Sequence, residues 1–133
     1  MVDDLDPNAL GFYGECLVMC ELAIRNIRTI KIIGDDLMTT KGTRIEVKTS
    51  RYCRFKKHWY FRHLKFKQIK QKNSHKIIEK DTDVYVLVCI DKLGKPNFII
   101  IPASELTSNG IQINYSFKRT KYVKFKEMWE LIR

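Results

Sequence analysis

The sequence predicts an α/β fold, a single domain in which a mixed central β-sheet is flanked by helices. With 133 residues and 44% hydrophobic content, the chain suits one compact core and has little room for a second. A long apolar stretch after an Asp-Pro pair predicts an N-terminal helix. DVYVLVCID and PNFIIIP are the clearest strands, and the first is apolar throughout, as central strands are.

The first half of the chain predicts a helix and three strands. Asp6 and Pro7 suit the N-cap and the first helical position, and ALGFYGECLVMCELAIRNI is long enough for about five turns. Because its apolar residues run most of the way round, we expect this helix to be largely buried. RTIKIIG predicts a strand. DDLM and TRIEVKTS flank TKG and predict a β-hairpin, with Gly42 in the left-handed position that closes a three-residue loop.

The second half predicts a further helix and strands. FRHLKFKQIKQK has apolar residues at 61, 64, 66 and 69, which favours a basic amphipathic helix over a strand. The two clear strands follow, joined by a turn around Lys92-Leu93-Gly94. ASEL predicts a short helix, GIQINYSF a late strand and YVKFKEMWELI a closing helix. The expected organisation is one domain, 1–133, with a core of about 10–105 and a C-terminal extension, 106–133.

The charge is unevenly distributed, and the net charge of +10 predicts a polyanionic partner. Residues 1–40 hold seven acids against three bases, whereas residues 51–80 hold eleven bases against one acid. In this basic block, lysine and arginine alternate with aromatic residues, which combines neutralisation of phosphates with flat rings that stack on bases. The alternative is a solvated basic face whose rings belong to the core. The candidate nucleic-acid contacts are Ser50, Arg51, Arg54, Lys56, Lys57, Lys65, Lys67 and Lys70.

The hydropathy pattern and the cysteines give an expectation about the compartment. No apolar run approaches the roughly 18 residues that span a bilayer, and the N-terminus is acidic where a secretory signal would be basic and then apolar. We therefore expect a soluble, cytoplasmic protein. Cys16, Cys20, Cys53 and Cys89 form no C-x-x-C pair and are expected to be buried thiols.

The predicted hairpin has a defined register. If residues 40–42 form the loop, Leu37 faces Ile45, and Asp36 lies directly opposite Glu46. Directly opposed residues share a face of the sheet, so the two carboxylates are neighbours. Two opposed carboxylates repel one another unless a cation lies between them.

The same register collects a candidate site on one face. Side chains alternate along a strand, so Glu46 and Lys48 project together with Asp36, while Val47 points to the other side. Oxygen ligands alone favour a hard ion such as Mg²⁺, with Mn²⁺ as a substitute. The hairpin therefore predicts a divalent-metal site, in which Asp35 ranks below Asp36 because it lies on the opposite face.

Glu15 supplies a third carboxylate by a separate argument. Glu21 has Arg25 at i+4 as an ordinary surface partner, whereas the positions three and four residues from Glu15 hold no base. An unpaired carboxylate on a mostly buried helix is costly, which favours a functional role. An exposed first turn of the helix is the alternative explanation.

Helix Glu15, then Asp36, then Glu46-x-Lys48 on a hairpin resemble the PD-(D/E)xK nuclease superfamily. This group contains many restriction endonucleases, archaeal Holliday junction resolvases and some intron-associated homing endonucleases. Gly14-Glu15 and IEVKTSR are especially similar to the small resolvase-like and homing members. The resemblance covers about residues 10–105 and implies a restriction-endonuclease-like core in the order αβββαβ. Asp35 stands where the family name has proline.

The resemblance also implies roles for individual residues. Asp36 and Glu46 would coordinate Mg²⁺ together with the backbone carbonyl of Val47, and Glu15 would complete the site directly or through water. Lys48 would orient or activate the attacking water and offset charge in the transition state. The implied protein is a divalent-metal-dependent DNA endonuclease. Because cutting both strands with one small site requires two subunits, we expect a homodimer or a higher symmetric oligomer.

Three alternatives remain open at the level of sequence. Within the same class, a Holliday junction resolvase competes with a restriction or homing enzyme. Outside it, the carboxylates would be a remnant in a non-catalytic nucleic-acid-binding protein. The basic block also fits an RNA-binding accessory protein.

Overall fold

The computed structural model describes residues 2–32, 36–64, 69–72, 75–78, 82–118 and 121–133, with 69–72 and 75–78 described by their backbone alone. These ranges contain one α-helix, nine strands and four short 3₁₀ turns. The helix is α1 (Pro7–Ala23), and the strands are β1 (Thr29–Lys31), β2 (Leu37–Thr39), β3 (Arg44–Ser50), β4 (His58–Phe61), β5 (Ile69–Lys72), β6 (His75–Ile78), β7 (Val84–Ile90), β8 (Pro96–Pro102) and β9 (Ile111–Asn114). Within the same ranges, no helix has the length and apolar character needed to cross a membrane.

The central sheet has five strands in the order β1-β2-β3-β7-β8. The β3–β7 pair is parallel and the other pairs are antiparallel, so the sheet is mixed, as the sequence predicts. β7 is buried along its whole length, as its continuous apolar run indicates. The predicted fold class, a mixed α/β domain, is confirmed.

The β2–β3 hairpin has the register predicted from its loop. Leu37 pairs with Ile45 and Met38 with Arg44. Gly42 adopts a φ of +90°, which only glycine takes without strain, and its N–H donates to the carbonyl of Thr39 at 2.9 Å. The loop chemistry therefore fixes which side chains of the two strands share a face.

Helix α1 begins as predicted but is less buried than expected. The Asp6 side chain accepts a hydrogen bond from the Ala9 N–H at 2.8 Å, and Pro7 occupies the first helical position. Its buried residues form a single stripe at i, i+4 spacing, namely Leu10, Gly14, Val18 and Leu22. The opposite face is open, with Phe12 63% exposed. The expectation of a largely buried helix was wrong because only the stripe that faces the sheet has a surface to pack on.

Two hydrophobic clusters cover the two faces of the central sheet. The first lies under α1 and joins Val18 and Leu22 to Ile45 and Val47 of β3. The second lies on the other face, where a small antiparallel sheet of β4 and β9 packs. Its centre is Trp59, whose indole N–H donates to the carbonyl of Ile90 at 2.8 Å. Glu46 and Lys48 pair with Tyr85 and Leu87, which belong to the second cluster, so they lie on the face of the central sheet against which the β4–β9 sheet packs.

The described parts of the stretch 61–72, namely 61–64 and 69–72, do not form the predicted amphipathic helix. Trp59 and Phe61 are buried while Tyr60 is exposed, and β4 pairs with β9. β5 and β6 form an antiparallel hairpin. The helical prediction failed because pairing with strands later in the chain outweighs a local 3.6-residue pattern of four apolar positions. The core order αβββαβ therefore lacks its second helix in the described residues.

The predicted closing helix is also wrong, and two 3₁₀ turns, Val123–Phe125 and Trp129–Leu131, take its place. Glu127 between them has a φ of +58°, and its N–H donates to the carbonyl of Phe98 at 2.9 Å. The edge of β8 competes for this backbone, which interrupts the helical pattern. Trp129 and Ile132 nevertheless pack into the first cluster, so the C-terminal residues belong to the core.

The four cysteines are free thiols, but only Cys89 is buried. Cys20 is exposed, and Cys16 and Cys53 are intermediate. The expectation of four buried thiols was wrong for Cys20 because this residue lies on the open side of α1.

Candidate active site

The four residues predicted to carry the chemistry come together around β3, the middle strand of the central sheet. Glu15 lies on α1, Asp36 immediately precedes β2, and Glu46 and Lys48 lie on β3. The ammonium nitrogen of Lys48 is 3.1 Å from Oε1 of Glu46. The charges of Glu15 and Glu46 both act on Asp36, so the three carboxyls form one electrostatic cluster.

Asp36 is held against β3 by the backbone. The Val47 N–H donates to Oδ2 of Asp36 at 2.6 Å, so the chain that enters β2 stays paired with β3 through a side chain. Burial raises the pKa of Asp36 from its usual 3.8 to about 6, while the Val47 hydrogen bond lowers it. The charge of Glu15, the hydrogen bond between Asp36 and Glu15 and the charge of Glu46 raise it further. Because three carboxyl groups lie close together, a bound cation at this position would reduce the repulsion between them.

Lys31 is a member of this cluster that the sequence argument missed. Its Nζ lies 2.5 Å from Oε2 of Glu15, and the Glu15 side chain is only 13% exposed, whereas that of Lys31 is 57% exposed. The absence of a base near Glu15 along its own helix is correct, but β1 supplies one. The register pairs Lys31 with Leu37, next to Asp36, so extending the hairpin register by one strand would have found it.

Thr82 is a second contact outside the sequence prediction. Its hydroxyl donates to Oε2 of Glu46 at 3.4 Å, and the residue is buried just before β7. The parallel pairing of Glu46 with Tyr85 brings this segment to the site. Glu46 therefore has one oxygen toward Lys48 and the other toward Thr82.

Gly14 determines how closely α1 approaches β3. A Cβ atom at this position would lie 1.7 Å from the Thr49 hydroxyl oxygen, so only glycine allows the observed packing. Glu15 is the next residue of the helix. The Gly14-Glu15 pair noted in the sequence thus combines close packing with delivery of a carboxylate.

The donor set fits a hard divalent ion in its chemistry. The carboxylates of Glu15, Asp36 and Glu46 offer only oxygen, which suits Mg²⁺ with several waters. As the side chains stand, no three acidic, histidine or cysteine groups of the described ranges are arranged as a complete metal-binding group. Lys31 and Lys48 instead neutralise two of the carboxylates.

A basic cleft of about 680 Å³ opens beside Lys48. It is lined by Ser50, Arg51 and Lys56 among the predicted contacts, and by further residues that the sequence argument did not assign to the partner. These additional residues include His58, Tyr60, Arg62, His63 and Tyr115. Their place could have been found only from the pairing of β4 with β9.

The other predicted contacts fall in different places. Arg54 is exposed in the turn after β3, with its guanidinium 4.7 Å from the centre of the Phe55 ring, and Lys57 is exposed beside it. Lys65, Lys67 and the side chain of Lys70 lie outside the described residues, as does Asp35.

Arg51 has a structural task of its own. Its guanidinium donates to the carbonyls of Val2 at 3.2 Å, Asp3 at 2.9 Å and Leu5 at 2.7 Å. Three backbone acceptors share this one group, which anchors the N-terminal turn on β3. Contact with a phosphate would have to use what remains of its donor capacity.

Fold and site together define a class: a small mixed α/β domain with an acid–lysine cluster around the middle strand of its sheet, beside a basic cleft. No protein-family model matches the chain, and no curated protein matches it. Among solved structures, the chain is similar to the bacterial homing endonuclease I-Ssp6803I. The TM-score is 0.68 at 14% sequence identity, over 96% of this chain and 93% of that one. At this identity the likeness shows a common fold.

Proposed function

We propose that this protein is a divalent-metal-dependent DNA endonuclease of the PD-(D/E)xK type. The observation that carries the proposal is the convergence of Asp36, Glu46 and Lys48 with the helix residue Glu15 beside a basic cleft. The fold that the chain shares with a homing endonuclease supports the same class.

The side chains have separate tasks in this proposal. Asp36, Glu46 and the carbonyl of Val47 would hold Mg²⁺, with Glu15 acting directly or through water; Mn²⁺ would substitute. The ion supplies acidification of water and charge neutralisation at the phosphate. Lys48 orients the attacking water and offsets negative charge as the phosphodiester bond breaks. Thr82 holds one oxygen of Glu46 and so limits rotation of that carboxylate.

The basic cleft would bind the DNA backbone, which the acidic cluster alone would repel. Lys48, Lys56 and Arg62 bring positive charge to its wall, and His58, Tyr60 and Tyr115 bring rings. A net charge of +10 adds long-range attraction to a phosphate polymer. Contacts of this kind position the backbone and do not read sequence.

A homodimer or a higher symmetric oligomer is part of the proposal, and the open face of α1 supports it. Phe12 and Met19 are exposed there, and Cys20 and Ala23 continue the same face into a hollow of about 750 Å³. An exposed apolar stripe of this kind fits a second copy of the chain. Sedimentation of the wild type and of Phe12→Glu tests it, because the charged variant would sediment as a monomer.

The test of activity is nicking of supercoiled plasmid with and without Mg²⁺. Lys48→Ala should lower the rate by about 100-fold or more while DNA binding in EDTA persists. Lys41→Ala is the matched control, since this exposed lysine of the β2–β3 loop lies outside the acidic cluster and does not line the cleft. Tight binding with no cleavage under Mg²⁺ or Mn²⁺ would favour the non-catalytic alternative.

A panel of labelled substrates then separates the remaining alternatives. Preference for a four-way junction over linear duplex identifies a resolvase, and preference for duplex a restriction or homing enzyme. Competition by RNA that exceeds competition by DNA would indicate the RNA-binding alternative.

A further inference from the structure

Phe55 is an aromatic side chain in an unusual place. It is 82% exposed at the tip of the loop that joins β3, the strand of Glu46 and Lys48, to β4. A phenylalanine ring that is this exposed gains little from burial on folding. Cys53 and Lys56, on either side of the tip, line the basic cleft.

The loop that presents Phe55 is held in place from both ends. The Lys56 N–H donates to the carbonyl of Cys53 at 3.0 Å, which closes a turn with Phe55 at its tip. The Tyr115 hydroxyl accepts from the Cys53 N–H at 2.9 Å and donates to its carbonyl at 3.2 Å. The Tyr115 N–H donates to the carbonyl of Lys57 at 3.0 Å. The backbone that carries the exposed ring is therefore held in place before a partner binds.

The rings beneath the loop add to this rigidity. Tyr115 packs against Tyr52 and Trp59, each with ring centres 4.7 Å apart. Trp59 is in turn anchored in the second cluster. Preorganisation of this kind lowers the entropy cost of binding for the side chain that is presented.

Charge around the ring selects the kind of partner. The Arg54 guanidinium lies 4.7 Å from the centre of the Phe55 ring, and Lys56 and Lys57 follow directly. The guanidinium lies over one face of the ring, so the other face is left to stack on a nucleobase, whose own phosphates meet the neighbouring cations. An apolar protein surface would leave three positive charges poorly matched.

We propose that Phe55 and Arg54 form a stacking platform for an unpaired nucleobase of the bound nucleic acid. This inference rests on the proposed function, and it narrows the substrate class to DNA with a single-stranded or unstacked stretch next to the scissile phosphate. Stacking of a base on an exposed ring needs a base that has left its own stack.

The test compares an oligothymidine of about 16 nucleotides with an abasic strand of the same length, by fluorescence anisotropy in EDTA. The wild type should bind the strand with bases about five-fold or more tightly. Phe55→Leu keeps an apolar side chain but removes the flat face, so it should bind both strands equally. Phe55→Trp should keep the preference, and base stacking should quench its added fluorescence.

Leu93→Ala is the matched control. Leu93 is 91% exposed at the tip of the β7–β8 turn beside Lys92, so it tests the loss of an exposed apolar group near a lysine. This variant should keep the preference for bases. Thermal unfolding of each variant verifies that the fold is intact.

The outcomes separate this inference from the proposed function. If Phe55→Leu binds as the wild type does, or if the wild type ignores the bases, the platform is overturned while DNA binding stands. If Phe55→Leu instead dissociates a dimer, the ring is a protein contact and the platform is again overturned. Failure to bind any DNA at low salt would overturn both proposals.

Discussion

Gly14 of α1 and Thr49 of β3 approach so closely that a Cβ atom on Gly14 would lie 1.7 Å from the Thr49 hydroxyl oxygen. The contact sets the distance between the helix that carries Glu15 and the strand that carries Glu46. A Cβ atom added to Gly11, one turn earlier in the helix, would lie in open space. Substitution of these two glycines by alanine should therefore have opposite effects on stability.

Gly14→Ala should lower the free energy of unfolding by about 1–3 kcal/mol through overpacking, although alanine is the better helix former. Gly11→Ala should raise it by up to about 1 kcal/mol. Urea unfolding of both variants measures the difference. Equal stabilisation by both would show that α1 does not need its close approach to β3.

Thr49→Val should leave stability unchanged or raise it by up to about 1 kcal/mol. The Thr49 hydroxyl is buried and has no hydrogen-bond partner among the described residues, so its desolvation is uncompensated. Valine has nearly the same shape without that cost. Urea unfolding provides the measurement, and a clear loss of stability would indicate a partner for the hydroxyl.

Asp36→Asn should change how stability depends on pH. The folded pKa of about 6 lies above the usual 3.8, so the folded state binds this proton more tightly than the unfolded state. The associated stability is complete below about 3.8 and is lost as the pH rises through about 6. Glu15 and Glu46 repel the charged form, and the cations of Lys31 and Lys48 lie on those two carboxylates.

The Asn variant cannot ionise, so its stability relative to the wild type should rise between about pH 4 and pH 7 in EDTA. Urea unfolding across this range measures the trend. Gly11→Ala, which changes no titratable group, is the control, and its effect on stability should be the same at every pH in this range. A difference that stays flat with pH would contradict the raised pKa.

Lys31→Met should lower the free energy of unfolding by about 1–3 kcal/mol in EDTA, because it strips the cation from the nearly buried Glu15. Added Mg²⁺ should restore more stability to this variant than to the wild type, measured as the shift in Tm. Glu21→Gln, which breaks the surface pair with Arg25, should cost no more than about 0.5 kcal/mol. An equal Tm shift in wild type and variant would argue against an ion at Glu15.

Arg51→Lys should destabilise the fold by about 1–3 kcal/mol, because an ammonium cannot serve three carbonyls in the geometry of a guanidinium. The salt dependence of DNA binding should change little. Lys56→Gln should do the reverse, leaving stability alone and lowering the slope of log K against log salt by about one. If Arg51→Lys instead lowered the salt slope and left stability unchanged, Arg51 would be the residue that contacts a phosphate.

Local chemistry explains which parts of the fold could be predicted. The cap at Asp6, the positive φ of Gly42 and the apolar run of β7 each act within a few residues, and the structure has all three. The hairpin register follows from its loop length, and it brings Asp36 next to β3, where its side chain accepts from the Val47 N–H.

Two segments with a helical period were predicted wrongly, because pairing with strands takes up the backbone hydrogen bonds that a helix would need. The stretch 61–72 has a helical period, but β4 pairs with β9 some fifty residues later, and β5 with β6. The closing segment gives its backbone to β8 at Phe98. Periodicity describes one element at a time and contains no information about such competition.

The sequence by itself determined the hairpin, the acidic cluster on it and the basic character of the block that follows, because loop length, strand alternation and charge are local properties. Only the tertiary structure decided that Lys31 forms an ion pair with Glu15, that Arg51 donates to three backbone carbonyls and that Phe55 is exposed to solvent. Each of these depends on which segments, distant in sequence, pack against the side chain in the folded protein, and no local pattern contains that information.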